Sequence, residues 1–231
     1  MKIIVFILSF SAFAAPSMLD EWSSPLEYKD SKSVLIYGVL ATSALILTKE
    51  STIDKVQSHS KEHGLLSENM SKFGDLTGQV IPNLLYISGS YIYGKFNDEE
   101  HAYKRIKLMA KTTFYAGLTT MILKRLVGQK RPDSDNRTSF PSGHTTTAFA
   151  FASVVAMEHE WYWGTAAYAM ASVTAISRIH DNAHYLHDVV AGATIGTAFG
   201  IALSNLASDD DNKYSIIPSE DGAIVQMHIS Y

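Results

Sequence analysis

Cysteine is absent from this 231-residue chain. No disulfide framework and no thiolate metal site can form, so the core must hold itself together, and an oxidising compartment neither helps nor harms the fold. An excess of positive charge is lacking too. The chain has 19 basic and 23 acidic side chains, and loss of Lys2 with the N-terminal segment described below leaves a net charge of about −5, which argues against nucleic acid as the partner. There is no internal repeat. Apolar runs of membrane-spanning length are also scarce: a spanning helix needs about 20 apolar residues for a hydrocarbon core of about 30 Å, and only Leu76 to Gly94 and Val189 to Ala207 approach that length.

What the chain does have begins with Met1-Lys2, the apolar run Ile3 to Phe13 and the small-residue pattern Ala12-Phe13-Ala14 before Ala15-Pro16. This reads as a secretory signal peptide over residues 1–14, and it sends the mature chain out of the cytoplasm. A Ser/Pro/acidic lead follows over 15–32. The length suits one domain, placed over 33–207. Apolar helix-like segments run from Ser33 to Thr48, Leu76 to Gly94, Ile106 to Val127, Gly143 to Met157, Trp161 to Ser177 and His184 to Ala207. They predict an all-α fold, an antiparallel bundle of about six core helices. Asp209-Asp210-Asp211 is expected to end the last helix, and the tail over 208–231 alternates in a way that suits a short strand.

Lys107 and Lys111 interrupt the third segment, and Glu158-His159-Glu160 stops the fourth. These breaks favour a soluble or surface-attached bundle. The alternative is a five-span arrangement with the basic stretch Lys104 to Lys111 inside. Either version leaves the motifs described next on the periplasmic side.

Three stretches carry the chemistry: Lys124 to Pro132 as Lys-x6-Arg-Pro, Pro141-Ser142-Gly143-His144, and Ser177-Arg178-x5-His184-x3-Asp188. They supply three fixed cations, a helix start containing glycine, two histidines and a carboxylate, which are the parts of a metal-free phosphoryl-transfer centre. In an up-and-down bundle the third-to-fourth and fifth-to-sixth connections share one end, so one pocket can hold all three stretches. His180 and His184 are four apart, but no Glu follows His180 in a His-Glu-x-x-His pattern, so no metal site is assigned. No cofactor is expected. His180 and His187 are expected at the pocket rim.

These motifs resemble those of the type 2 phosphatidic acid phosphatase superfamily, which includes bacterial non-specific acid phosphatases and vanadium haloperoxidases. Every defining position matches in order between Lys124 and Asp188. The resemblance implies a helical bundle and a phosphatase acting on a phosphomonoester or pyrophosphate, either a lipid phosphate or a small organic phosphate, through a phosphohistidine. His184 would be the nucleophile, with Asp188 accepting from its Nδ1 across one helical turn and so presenting Nε2. His144 would protonate the leaving oxygen and then activate water. Lys124, Arg131 and Arg178, with Ser142 and the Gly143 backbone, would hold the phosphate. Ser142 would contact phosphate or cap the helix. Two rivals stand beside this: a vanadium-dependent haloperoxidase, because vanadate occupies the same constellation, and a non-catalytic phosphate-binding protein. The expected partners are a phosphorylated substrate and a membrane surface.

Overall fold

The computed structural model describes residues 16–97, 100–212, 214–219 and 222–227. The signal peptide expected over 1–14 lies outside them. Among the described residues the chain forms α1 (Met18–Ser23), a 3-10 turn (Ser24–Leu26), α2 (Lys29–Leu47), α3 (Ile53–His63), α4 (Glu68–Gly78), α5 (Ile81–Asn97), α6 (Glu100–Val127), α7 (Gly143–Glu158), α8 (Trp161–His180) and α9 (Leu186–Asn212). Two short strands, β1 (Tyr214–Ser219) and β2 (Gly222–Met227), follow and pair antiparallel with each other. The fold is all-α, with α6, α7 and α9 at its centre.

Local sequence sets most of the helix ends. Ser17 caps α1 in a capping box with Asp20, and Ser67 accepts from the Met70 amide at 3.4 Å to start α4. α6 stops where Gly128 takes φ +59° and its N–H closes on the Lys124 carbonyl, a left-handed cap that favours glycine. The segment Leu76 to Gly94, expected as one helix, is two. α4 ends at Gly78, and α5 starts afresh at Ile81 with Pro82 in its first turn, where a missing N–H costs nothing. The acidic run does not stop the last helix, which continues to Asn212, and α2 begins at Lys29 rather than Ser33.

Large side chains fill the space between α6, α7 and α9: Leu108, Met109, Tyr115, Val154, Phe199 and Leu203 are all buried there. α7 meets α8 through alanines, with Ala148 and Ala152 against Ala167 and Ala171. α7 and α9 approach more closely still. A Cβ added at Gly192 would fall 2.5 Å from the Ser142 carbonyl oxygen, and one at Gly196 or Gly200 would run into the Thr146 carbonyl or the Ser153 side chain. Three glycines four residues apart therefore let one helix backbone lie directly on the other. At the outer side, buried Glu21 ties α1 to α6 through Lys111 and through the Tyr115 hydroxyl, which donates at 2.8 Å.

α3 and α4, joined by a short connection, both rest on the C-terminal end of α8 and the turn that follows it. Ser60 donates to the Ile179 carbonyl at 3.1 Å, Ser71 donates to Asp181, and the Gln57 amide donates to Asn182. The His180 ring accepts from the Leu65 and Leu66 amides at 2.9 and 3.2 Å. His180 therefore pins the connection between α3 and α4 and does not line a pocket rim.

The seam glycines give the first prediction. Gly196→Val must push against the backbone of α7 and is expected to cost about 1–3 kcal/mol or more, seen as a lower thermal-unfolding midpoint. Gly89→Ala, where a Cβ meets nothing within 4 Å, should hold or raise the midpoint, since helical glycine costs about 0.5–1 kcal/mol relative to alanine.

Candidate active site

All three motifs meet at one end of the bundle. Lys124 lies in the last turn of α6, Ser142 is the N-cap position of α7, Arg178 is in the last turn of α8, and Asp188 is in the first turn of α9. The Ser142 N–H donates to the Asp188 carbonyl at 2.9 Å, which joins the second motif to the third through backbone alone. At the other end, Glu158 and Trp161 close a tight turn, as the segment order requires.

His184 departs from expectation. It does not open the last helix, which starts at Leu186, but sits in the turn between α8 and α9. The cause is local. After Asn182, at φ 58°, both the Ala183 and His184 amides fold back onto the Arg178 carbonyl, at 3.0 and 3.2 Å. His184 still reaches Asp188, with Nδ1 3.5 Å from Oδ2. That oxygen accepts from the Ser139 hydroxyl at 2.5 Å and from the Tyr185 amide at 2.9 Å, the second bond being the N3-to-N-cap half of a capping box. The carboxylate is thus held on three sides at zero exposure, and the ring it faces is itself only 2% exposed. Burial keeps the His184 imidazole neutral by lowering its pKa, against the pull of Asp188. His187 is buried as well, with Nε2 3.1 Å from Asp188 Oδ1 and against the Gln129 amide group, so it supports Asp188 rather than lining a rim.

The cations differ from one another. Lys124 donates to the Thr138 carbonyl at 2.6 Å, which anchors the connection between α6 and α7. Burial, aided by Arg131, lowers its pKa to about 8. Arg131 is fixed by its backbone, whose N–H donates to the Asn136 carbonyl at 2.9 Å, and its Nε is buried without a partner. Arg178 is fully engaged: Nε donates to Ser177 at 3.1 Å, Nη1 to Asp75 at 2.5 Å and Nη2 to Asp181 at 2.7 Å.

The Ser142 hydroxyl is buried and accepts from Thr145 Oγ1 at 3.0 Å, and it makes no cap bond to the helix backbone. A Cβ at Gly143 would meet Lys124 Cε at 3.8 Å and nothing else, so packing does not require glycine there. His144 stands at the mouth with Nε2 3.4 Å from Asp75. Burial and the nearby Arg178 lower its pKa to about 4, with Asp75 opposing them. Beside it opens a cavity of about 310 Å³ lined by Gly78, Thr120, Met121, Lys124, Gly143 and His144 among others.

The family model described as the PAP2 superfamily matches residues 106–211, which hold all of these groups except Asp75. Residues 106–211 are a PAP2-superfamily domain. Lipid A 1-phosphatase from Porphyromonas gingivalis is 38% identical over 112 residues, covering 45% of this chain and 25% of that protein. The lipid A 1-phosphatase of Rhizobium johnstonii is 33% identical over 105 residues, covering 39% of this chain and 43% of that protein. The chain thus matches less than half the length of each. Among solved structures, a transmembrane PAP2 type phosphatidylglycerolphosphate phosphatase from Bacillus subtilis superposes with a TM-score of 0.59 over 77% of this chain and 95% of its own, at 19% identity, which is a likeness of fold.

The PAP2 motifs do not reveal three contributors. Gln129, at an unspecified position within the first motif, and Ser139, two residues before the second, brace the Asp188–His187 pair, but a lone serine or glutamine at such a place has no distinguishing pattern. Asp75 lies outside the matched domain, in a helix whose sequence carries none of the three motifs. Its one sequence cue is its place between Gly74 and Gly78.

The Lys124 ammonium is charged below about pH 8 and loses its proton as pH rises through that value. Binding of tungstate, an oxyanion already fully ionised at neutral pH, should therefore weaken across that window. Lys124→Arg, which stays charged, should remove the weakening. Calorimetric titration of both proteins across the window checks this.

Proposed function

We propose that this protein is an exported phosphatase that hydrolyses a phosphate ester at the headgroup of a lipid, through a phosphohistidine formed on His184. The observation that carries the reading is the convergence at one bundle end of Lys124, Arg131, Arg178, His144 and the His184–Asp188 pair, with Lys124 and His144 on the wall of a cavity. A neutral, buried imidazole backed by a carboxylate is a nucleophile in the correct tautomer. Its Nε2 attacks phosphorus while the cations take up the charge spreading over the equatorial oxygens. His144 delivers a proton to the leaving oxygen. Water, activated by the same His144 once it is neutral, then attacks the phosphohistidine and releases phosphate. Ser142 and the amides at the start of α7 add donors where the helix dipole favours an anion.

The lipid assignment draws on the relatives' names and on the surface. α2 and residues Leu186–Asp209 are both long and apolar enough to cross a membrane, and α2 buries little of itself against the protein. Leu47 at 86% exposure, Phe96 at 81% and Trp161 at 77% present large apolar side chains outward on α2, α5 and α8. A hydrocarbon surround satisfies these faces where water would not. The end bearing the site then meets the headgroup region on the periplasmic side, and Trp161, Tyr162 and Trp163 mark the opposite interface. This favours the membrane-attached arrangement over a freely soluble one.

Phosphate release from lipid A, phosphatidic acid, an isoprenyl pyrophosphate and a chromogenic monoester tests the reading. Release should persist in EDTA, be blocked by vanadate, fall by at least about 10³-fold in His184→Ala and by about 10²–10⁴-fold in His144→Ala. Lipid substrates should be turned over in preference to the soluble ester. Full activity of His184→Ala would sink the mechanism.

A further inference from the structure

Arg178 makes more side-chain hydrogen bonds within the protein than Lys124 does. Its guanidinium is 7% exposed and each of its three nitrogens is already engaged, two of them by carboxylates. Asp181 is its neighbour in sequence at the end of α8. Asp75 reaches in from α4, and the same oxygen that accepts from Arg178 at 2.5 Å lies 3.4 Å from His144 Nε2. One carboxylate oxygen thus stands between a motif cation and a motif histidine, where an oxyanion would otherwise meet both.

Packing holds it there. A Cβ at Gly74 would fall 2.7 Å from the Ser177 side chain, and one at Gly78 would fall 2.6 Å from Thr174 and 2.7 Å from His144. The Thr77 and Thr174 hydroxyls meet at 3.0 Å. α4 is therefore seated on α8 immediately before Asp75 and again within one turn after it, and this is not a chance contact of a loose surface acid. A carboxylate fixed beside a phosphate site repels its ligand, so its position calls for a compensating use.

Resting on the phosphatase reading above, we propose that Asp75 is a positioning residue with two linked actions: it occupies the oxyanion place at Arg178 until phosphate displaces it, and it then serves as the carboxylate partner of protonated His144. The exchange needs only that one oxygen let go of Nη1 and keep its approach to Nε2. Arg178 is thereby released to the phosphate as the acid is oriented toward the leaving oxygen, so full assembly waits for the substrate. The titratable and charged groups around His144 are Arg178 from α8, His184 from the following turn, Arg131 from the α6–α7 connection, Lys124 from α6 across the cavity, and Asp75 from α4. Asp75 is the one anion among these and favours the imidazolium, which the cations and burial oppose.

Asp75→Asn separates this from a purely structural ion pair. Tungstate should bind the variant about tenfold or more tighter, since the competing charge is gone. At the same time kcat should fall by about tenfold or more, and the limb of the pH–rate profile that requires protonated His144 should move to lower pH. Asp75→Glu should recover part of kcat. Asp181→Asn, which removes a carboxylate from the other terminal nitrogen of Arg178, should leave that limb in place. Weaker tungstate binding, or an unmoved limb, in a folded Asp75→Asn protein would overturn the inference while leaving the phosphatase reading intact. A wild-type protein that neither binds tungstate nor releases phosphate would overturn both.

Discussion

The site depends on how closely α7 lies on α9. Gly192, Gly196 and Gly200 remove every Cβ from one side of that contact, and the α7 backbone comes down onto them. Only at this separation can the Ser142 amide reach the Asp188 carbonyl, and that bond sets where the second motif stands relative to the third. His144 follows from the start of α7 and Asp188 from the start of α9. A bulkier seam would leave each motif locally intact and the pocket unassembled, because all the groups sit on helix ends whose mutual distance is a packing property.

The parts of this arrangement written in short-range spacing were legible in the chain itself. Lys124, Arg131, the Pro141–His144 stretch and the Arg178–Asp188 stretch meet because helix order in an antiparallel bundle forces α6–α7 and α8–α9 to turn at the same end. Details within a turn were less visible. His184 and Asp188 have the spacing of one helix face, yet the Arg178 carbonyl captures the His184 amide and delays the helix by two residues. The pair survives because the tight turn delivers the ring to nearly the same place. Least visible was the placement of α3 and α4. They meet α8 and the turn after it through hydrogen bonds from Ser60 and Ser71 and to His180, and through the close approach of Gly74 and Gly78, and hydrophobic periodicity carries no trace of contacts of that kind. Asp75 was hidden with it.

Charge at this end of the bundle is balanced rather than accumulated. Three cations in a partly desolvated space repel one another, and the protein answers differently at each. Lys124 leans on carbonyl oxygens, Arg178 takes two carboxylates, and Arg131 is held by its own backbone in the connection. These bonds fix the shape of the site. Some of its positive potential is masked until a stronger anion arrives to compete for it.

The connection between Arg131 and Ser139 has a further consequence. Its base is closed by the Ser139 amide on the Gln129 carbonyl and by the Arg131 amide on the Asn136 carbonyl, while Asp133, Ser134 and Asp135 at the tip are exposed. The tip can lengthen or change without disturbing the base. By contrast, the eleven residues from Arg178 to Asp188 are bound so tightly to one another that an inserted residue would part His184 from Asp188. The two connections at this end of the bundle therefore differ in tolerance: residues can be added at the tip of one, and not within the other.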